Sequence, residues 1–220
     1  MAFPGLYRFH HEGDRPVTLY SADSDLRAAR ERYFEINNFA GGGYEEGWVK
    51  MRAGFIPIWF PNTVARVKAV KFHDIHHVLT EYPTTWAGEA EIGAWEVATG
   101  CAAHYQAWLL NLLAFAIGLA INRRGVYRAF MRGRRSRNLY RTTFSDELLA
   151  RTVGEMRREL DLDKETAAPS SVDRRAFLFW SLASVATLVG TWIAALLPFA
   201  TLGLLIFLLS GNDCVNFWRF

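Results

Sequence analysis

Positions 73–77 read His-Asp-Ile-His-His, and eleven residues separate His77 from Glu89. On a helix, His73 and His77 stand four positions apart and project from one face. Asp74 lies ~100° round the helix from His73, near enough to lean toward the same point. Two imidazoles and two carboxylates, from His73, Asp74, His77 and Glu89, form an N2O2 donor set suited to a divalent metal, zinc first among them. A His pair at this spacing is common by chance; the acids at 74 and 89 single this one out. His76 stands three positions after His73. It can replace either imidazole or hydrogen-bond a carboxylate behind the ligands.

The flanking residues supply the elements that would position these groups. A helix is predicted from Asn62 through Val64, Val67, Val70 and Phe72, delivering the histidines. Residues 81–85 read as a turn, because Pro83 biases Tyr82 away from helical dihedrals and Thr84 or Thr85 can cap a new helix. Glu89 then sits one turn into a second helix that folds back beside the first. That second helix carries Gly93, Glu96 and Gly100 on after Glu89. Its glycines let a lipid tail or another backbone approach closely.

The stretch resembles the coenzyme Q (ubiquinone) biosynthesis protein 4 family, whose signature H-D-x-x-H-x11-E is carried here by His73, Asp74, His77 and Glu89. The likeness extends to Gly88-Glu89, Trp95-Glu96 and Gly100, and to Asn138-Leu139-Tyr140 ahead of Arg158-Glu159-Leu160. It spans roughly residues 25–165, most densely 61–100. The resemblance implies a helical domain that binds zinc and a polyprenyl lipid. It also implies a link to removal of the ring carboxylate from a polyprenylated hydroxybenzoate precursor, as a metal-dependent lyase. The alternative is a scaffold that presents lipid intermediates to other quinone-biosynthesis proteins, or an enzyme acting on another membrane lipid. The family pattern leaves position 76 free, which assigns His76 to a supporting role behind the ligands. Gly93, Glu96 and Gly100 are the lipid-binding candidates. The lead-in Val70-Lys71-Phe72 departs from the family, as does the apolar C-terminal run.

That run sets the organisation of the chain. Apolar residues make up 51% of the 220 positions beside 21% charged ones, and the two are unevenly spread. Residues 176–209 carry no charge, while eight arginines fall between 123 and 141. A span needs only about 20 apolar residues, so 174–211 is predicted to be transmembrane, as one kinked helix or, split at Pro198, a hairpin. Arg174 and Arg175 before it place residues 1–165 on the cytoplasmic side, in a bacterial inner membrane. Residues 166–173, with Pro169-Ser170-Ser171, read as a linker, and 212–220 as a tail. Residues 97–122 are also uncharged. His104, Gln106, Asn111 and the basic residues on both flanks mark them as a buried helix or the border of a lipid groove.

The remaining signals exclude more than they assign. A net charge of +3 brings no nucleic-acid motif with it, and a basic belt beside an apolar run suits anionic lipid headgroups. Cys101 and Cys214 make neither a disulfide framework nor a thiolate site. Residues 1–21 carry neither a secretory signal nor an Arg-rich transit pattern. Gly41-Gly42-Gly43 lacks the Gly-Lys-Ser/Thr of a phosphate loop and reads as a flexible connection. Tyr44, Trp48, Phe55, Trp59 and Phe60 line an apolar groove or pack their loop onto the core. Six histidines, two of them at 10 and 11, are too few for the three histidine boxes of a membrane di-iron enzyme. A phosphohydrolase built on His73-Asp74 lacks identifiable further ligands. The fold expected is all-α: a helix from Asp25 capped by Ser24, the two metal-bearing helices, the uncharged helix, and an amphipathic helix carrying Leu148, Leu149, Val153, Met156 and Leu160. It contains no sheet.

Overall fold

The computed structural model describes residues 18–53, 56–164 and 168–214. The chain there is mostly helical. In order come α1 (Leu26–Asn37), β1 (Trp48–Ala53), β2 (Ile56–Pro61), α2 (Val64–Thr80), α3 (Trp86–Thr99), α4 (Tyr105–Ile121), α5 (Arg123–Gly133), the short α6 (Asp146–Leu149) and α7 (Val153–Glu159), and the long α8 (Ser171–Cys214).

Local chemistry sets the helix starts. Thr63 caps α2 and Thr85 caps α3, each hydroxyl accepting a backbone N–H three residues on. Thr84, the other capping candidate, instead donates to Asn37 at 2.5 Å. Asp25 rather than Ser24 caps α1, its carboxylate taking the Ala28 N–H at 2.7 Å. Between α2 and α3, Glu81 turns left-handed (φ 60°) and reverses the chain. Gly88 then lets α3 close over the turn: a Cβ there would lie 1.9 Å from the Pro83 carbonyl oxygen.

Three expectations need correction. The fold is not sheet-free, because β1 and β2 pair antiparallel, with Trp48, Val49 and Lys50 opposite Pro61, Phe60 and Trp59. Prolines at 57 and 61 are tolerated because a two-stranded sheet is all edge. The amphipathic stretch 146–160 is two short helices, since Thr152 forms a capping box with Glu155 and restarts the chain. The uncharged run 97–122 is also divided: α3 ends at Gly100 (φ 85°) and α4 starts at Tyr105. Residues 1–17, Phe55 and residues 215–220 of the expected tail lie outside the described residues, as do 166–167 of the expected linker. The linker's end, from Ser171, opens α8.

The core gathers Trp95 of α3, Phe115 of α4, Phe130 of α5, Ile75 of α2, Leu139 and Met156, all fully buried. Onto its outer side comes the beginning of α8. Phe177 packs against Phe115, Tyr127 and Phe130, and Trp180 stacks on Trp108 at 5.2 Å and 18°. Beyond Val189 every residue of α8 is exposed as far as Leu209. Ser171–Leu209 is long and apolar enough to cross a membrane. It is one helix, not a hairpin. Pro198 sits inside it, where losing one backbone bond within an apolar helix is tolerated.

Candidate metal centre

Helix α2 presents His73 and His77 on one face, and the first turn of α3 brings Glu89 up to them. One ligand atom from each of the three lies within 4.8 Å of the others. The two Nε2 atoms are 3.1 Å apart; His73 Nε2 is 3.3 Å from Glu89 Oε2 and His77 Nε2 is 3.3 Å from Glu89 Oε1. Tetrahedral zinc with bonds near 2.0–2.1 Å spaces its ligand atoms about 3.3 Å apart, so these separations are those of a ligand set.

The opposite ring nitrogens explain why both Nε2 atoms face inward. His77 Nδ1 lies 2.7 Å from the Tyr82 carbonyl, which can only accept, so the proton is on Nδ1 and the lone pair on Nε2. His73 Nδ1 points at Glu96 Oε1, 3.0 Å away, with the same consequence. Each imidazole is thereby held in the tautomer a metal needs, by a carbonyl or carboxylate behind it. Tyr33 stacks on the His77 ring at 5.5 Å and 20° and closes that side. The side chain of His77 is 1% exposed, that of His73 20% and that of Glu89 37%, so the cluster opens past Glu89.

His76 is turned away from the cluster. Its Nδ1 donates to Glu96 Oε1 at 2.6 Å, and its Nε2 accepts the Leu139 N–H at 3.0 Å. Both nitrogens are spent, and Trp95 and Tyr140 wedge the ring edge-on. Asp74 stands outside the three-residue cluster. It is buried on the next flank of α2, and its Oδ2 accepts the Tyr44 hydroxyl.

Glu96, expected to face lipid, is fully buried and is the hub behind the histidines. Oε1 takes His73 and His76; Oε2 takes the Tyr140 hydroxyl at 2.8 Å and the Asn111 amide. Gly93 lies in the α3–α4 contact, where a Cβ would sit 3.2 Å from Ala114 Cβ, and Gly100 ends α3. Those three positions serve helix packing, a polar network and a helix end. Sequence reasoning missed Asn111, Tyr140 and Tyr33 as neighbours of the centre. Asn111 showed only as a polar residue in an uncharged run and Tyr140 only within Asn138-Leu139-Tyr140, while Tyr33, in a charged helix, gave no such signal.

The charges follow from these partners. Burial works against the charged form of His73, yet the carboxylates of Glu96 and Glu89 overcome it and hold its pKa well above the ordinary value. Burial favours the neutral acid at Glu89 and Glu96, but the histidines facing them hold both well below the usual carboxylate range. Burial pushes Asp74 up and His76 down. Without a metal, a proton on His73 bridges the two glutamates and relieves the contact between the Nε2 lone pairs. A divalent cation held by His73, His77 and Glu89 would relieve the same contact, and the donor set suits such an ion in chemistry and spacing.

The class of protein so defined is a mostly helical domain that carries, among the described residues, a group of two histidines and one glutamate able to hold a metal ion and one helix long enough to cross a membrane. No family model, curated protein or solved structure matches the chain.

Proposed function

We propose that this is a membrane-anchored zinc protein of ubiquinone biosynthesis, a divergent relative of the coenzyme Q biosynthesis protein 4 family. The observation that carries the reading is the convergence of His73, His77 and Glu89, three of the four residues of the H-D-x-x-H-x11-E pattern, at ligand spacing with both tautomers held from behind. Zinc bound there supplies a Lewis acid toward a phenolate or carboxylate oxygen of a polyprenylated hydroxybenzoate. The chain's own groups do the rest. Tyr33 excludes water from the His77 side, the open side past Glu89 admits the ring, and Asp74 with Tyr44 stands beside it to hold a proton. Three protein ligands with one exposed flank favour a catalytic centre, which keeps an open position, over the lipid-presenting scaffold, whose metal site would be closed. The prenyl tail and α8 belong to the same bilayer, with residues 1–165 on the cytoplasmic side of the bacterial inner membrane.

The test compares His77→Ala, Glu89→Ala and His76→Ala in the full chain. Metal content of the purified protein, quinone made by cells that depend on it, and co-purifying lipid by mass spectrometry are measured together. Loss of His77 or Glu89 is expected to strip the metal and abolish quinone synthesis, while His76→Ala weakens both. A Glu89→Ala protein with full metal content overturns the site. Full metal loss with normal quinone levels overturns the pathway.

A further inference from the structure

The β1–β2 hairpin shows an unusual outer face. Side chains alternate along each strand, and paired residues share a face. Trp48 with Pro61 and Lys50 with Trp59 therefore lie on one side, and Val49 with Phe60 on the other. The second side turns inward: both residues are half-buried, and the Arg66 guanidinium lies 5.6 Å over the Phe60 ring. The first side is open, with Trp48 56% and Trp59 68% exposed around the exposed Lys50. Two uncovered tryptophans flanking a lysine are what an apolar–aqueous boundary selects: an apolar ring with a polar N–H, beside a cation that reaches headgroups.

The location of this face matches that composition. Phe177 meets Phe115 and Trp180 meets Trp108, so α8 runs antiparallel to α4 and leaves the domain past Tyr105, the first residue of α4. Phe72 of α2 touches His104, and His76 shares Glu96 with Asn111, so α2 runs in the same general sense as α4. The residues of α2 before Phe72, ~12 Å of helix, therefore extend beyond the start of α4 on the side where α8 emerges. The hairpin leads directly into them. Val64, Lys68 and Tyr105 are exposed on that same side. The arginines of early α5 lie elsewhere: Gly125 packs beside Glu91, at the far end of α3 from Gly100.

We propose that the outer face of the hairpin, Trp48, Lys50 and Trp59, is a second membrane contact resting in the headgroup region of the bilayer that α8 crosses. The inference rests on reading α8 as a span. It ties that bilayer to the metal centre through short connections. Asn62 holds the Gly43 and Glu46 carbonyls at the hairpin base, and Tyr44 in that segment donates to Asp74, next to His73. Hairpin and α8 together fix the height and tilt of the centre above the lipid. A single helix could not, because it leaves rotation free.

The test uses full-length protein carrying Cys214→Ser in vesicles of mixed neutral and anionic phospholipid. A nitroxide label is placed by Trp48→Cys, Trp59→Cys, Glu46→Cys or Leu205→Cys. Collision with dissolved oxygen, which concentrates in the bilayer, is compared with collision with a water-soluble nickel chelate. Labels at 48 and 59 are expected to lose nickel accessibility and gain oxygen accessibility relative to 46, each variant leaving the other tryptophan in place. Labels at 48 and 59 as open to nickel as 46, with 205 inside the bilayer, overturn the hairpin contact alone. A label at 205 open to nickel overturns the span itself. Protection from nickel at 48 and 59 without gain of oxygen identifies contact with a second copy of the chain and overturns the lipid assignment.

Discussion

Replacing Glu96 by glutamine separates support of the metal from support of the fold. Four donors converge on this buried carboxylate: His73 and His76 at one oxygen, Tyr140 and Asn111 at the other. A glutamine can keep its oxygen toward the histidines and turn its amide toward Asn111 and Tyr140. Asn111 can flip its own amide to accept, and the Tyr140 hydroxyl can accept as well. Every bond to residue 96 survives, at the expense of the Asn111 amide's contact with Cys101 Sγ, but the charge is gone. Bonds to a charged group are worth about 1.5–3 kcal/mol against about 0.5–1.5 kcal/mol for neutral ones. Part of that difference returns because no charge has to be buried. The net loss is about 1–2 kcal/mol, a melting-temperature fall of about 2–8 °C for a protein of this size. Zinc affinity responds more, because the carboxylate raises the basicity of His73; its loss costs about 10–100-fold. Glu96→Ala, by contrast, orphans all four donors and costs about 3–5 kcal/mol. Chelator competition with a zinc indicator and thermal melts of the two variants read both quantities. A Glu96→Gln protein with unchanged zinc affinity refutes the assignment and leaves Glu96 a core residue only.

Other outcomes follow from the same geometry. For pH, a group whose folded pKa is raised lends stability fully present below its unfolded value and lost as pH rises through the folded one. His73 therefore costs the metal-free protein stability upward from about pH 6.5, whereas the depressed Glu89 and Glu96 cost it stability below about pH 4.3. Zinc bound at the site would replace the His73 proton, so melts with and without zinc are expected to diverge on the alkaline side, and weakly buffered titration to release a proton at neutral pH; parallel curves with no release would sink this. Gly88→Ala drives a Cβ into the Pro83 carbonyl, costing about 1–3 kcal/mol and loosening zinc through displacement of Glu89, read by melts and metal content. A chain ending at Val189 keeps Phe177 and Trp180 on α4, so it is expected to fold yet be extracted from membranes by alkaline carbonate; retention in the pellet would contradict the span.

Much of this architecture was legible from residue types. His73, His77 and Glu89 meet as the four-residue spacing and the Pro83 turn require, because both are local constraints. Glu96 was legible only as a helical position. Its role depends on Asn111 and Tyr140, which arrive from another helix and a loop, and no spacing rule links positions 96, 111 and 140. Asp74 illustrates the converse: helical angle puts it near the metal point, but Tyr44, thirty residues away, claims its carboxylate. The hairpin was hidden by Gly54, Pro57 and Pro61, which signal breaks in any sheet with interior strands. The restart at Thr152 was hidden because Leu149, Val153 and Met156 keep an apolar stripe across it. Pro198 left one helix and two equally open, and an apolar run has no internal signal to separate them.

One buried cation bears on the order of assembly. Arg157 of α7 reaches back to the end of α2, donating to the Val78 and Leu79 carbonyls at 3.1 and 3.0 Å and to Glu81 at 2.9 Å. Helix α2, which carries His73 and His77, is thus fastened at its C-terminal end by a residue made nearly eighty positions later. A chain emerging during synthesis holds His73, His77 and Glu89 early, but the helix end stays untied until α7 has emerged. The next residues out are those of α8. The helix that carries His73 and His77 is therefore tied down in the same late interval in which the long apolar helix emerges, and a chain halted before residue 157 has those histidines without the clasp that holds their helix.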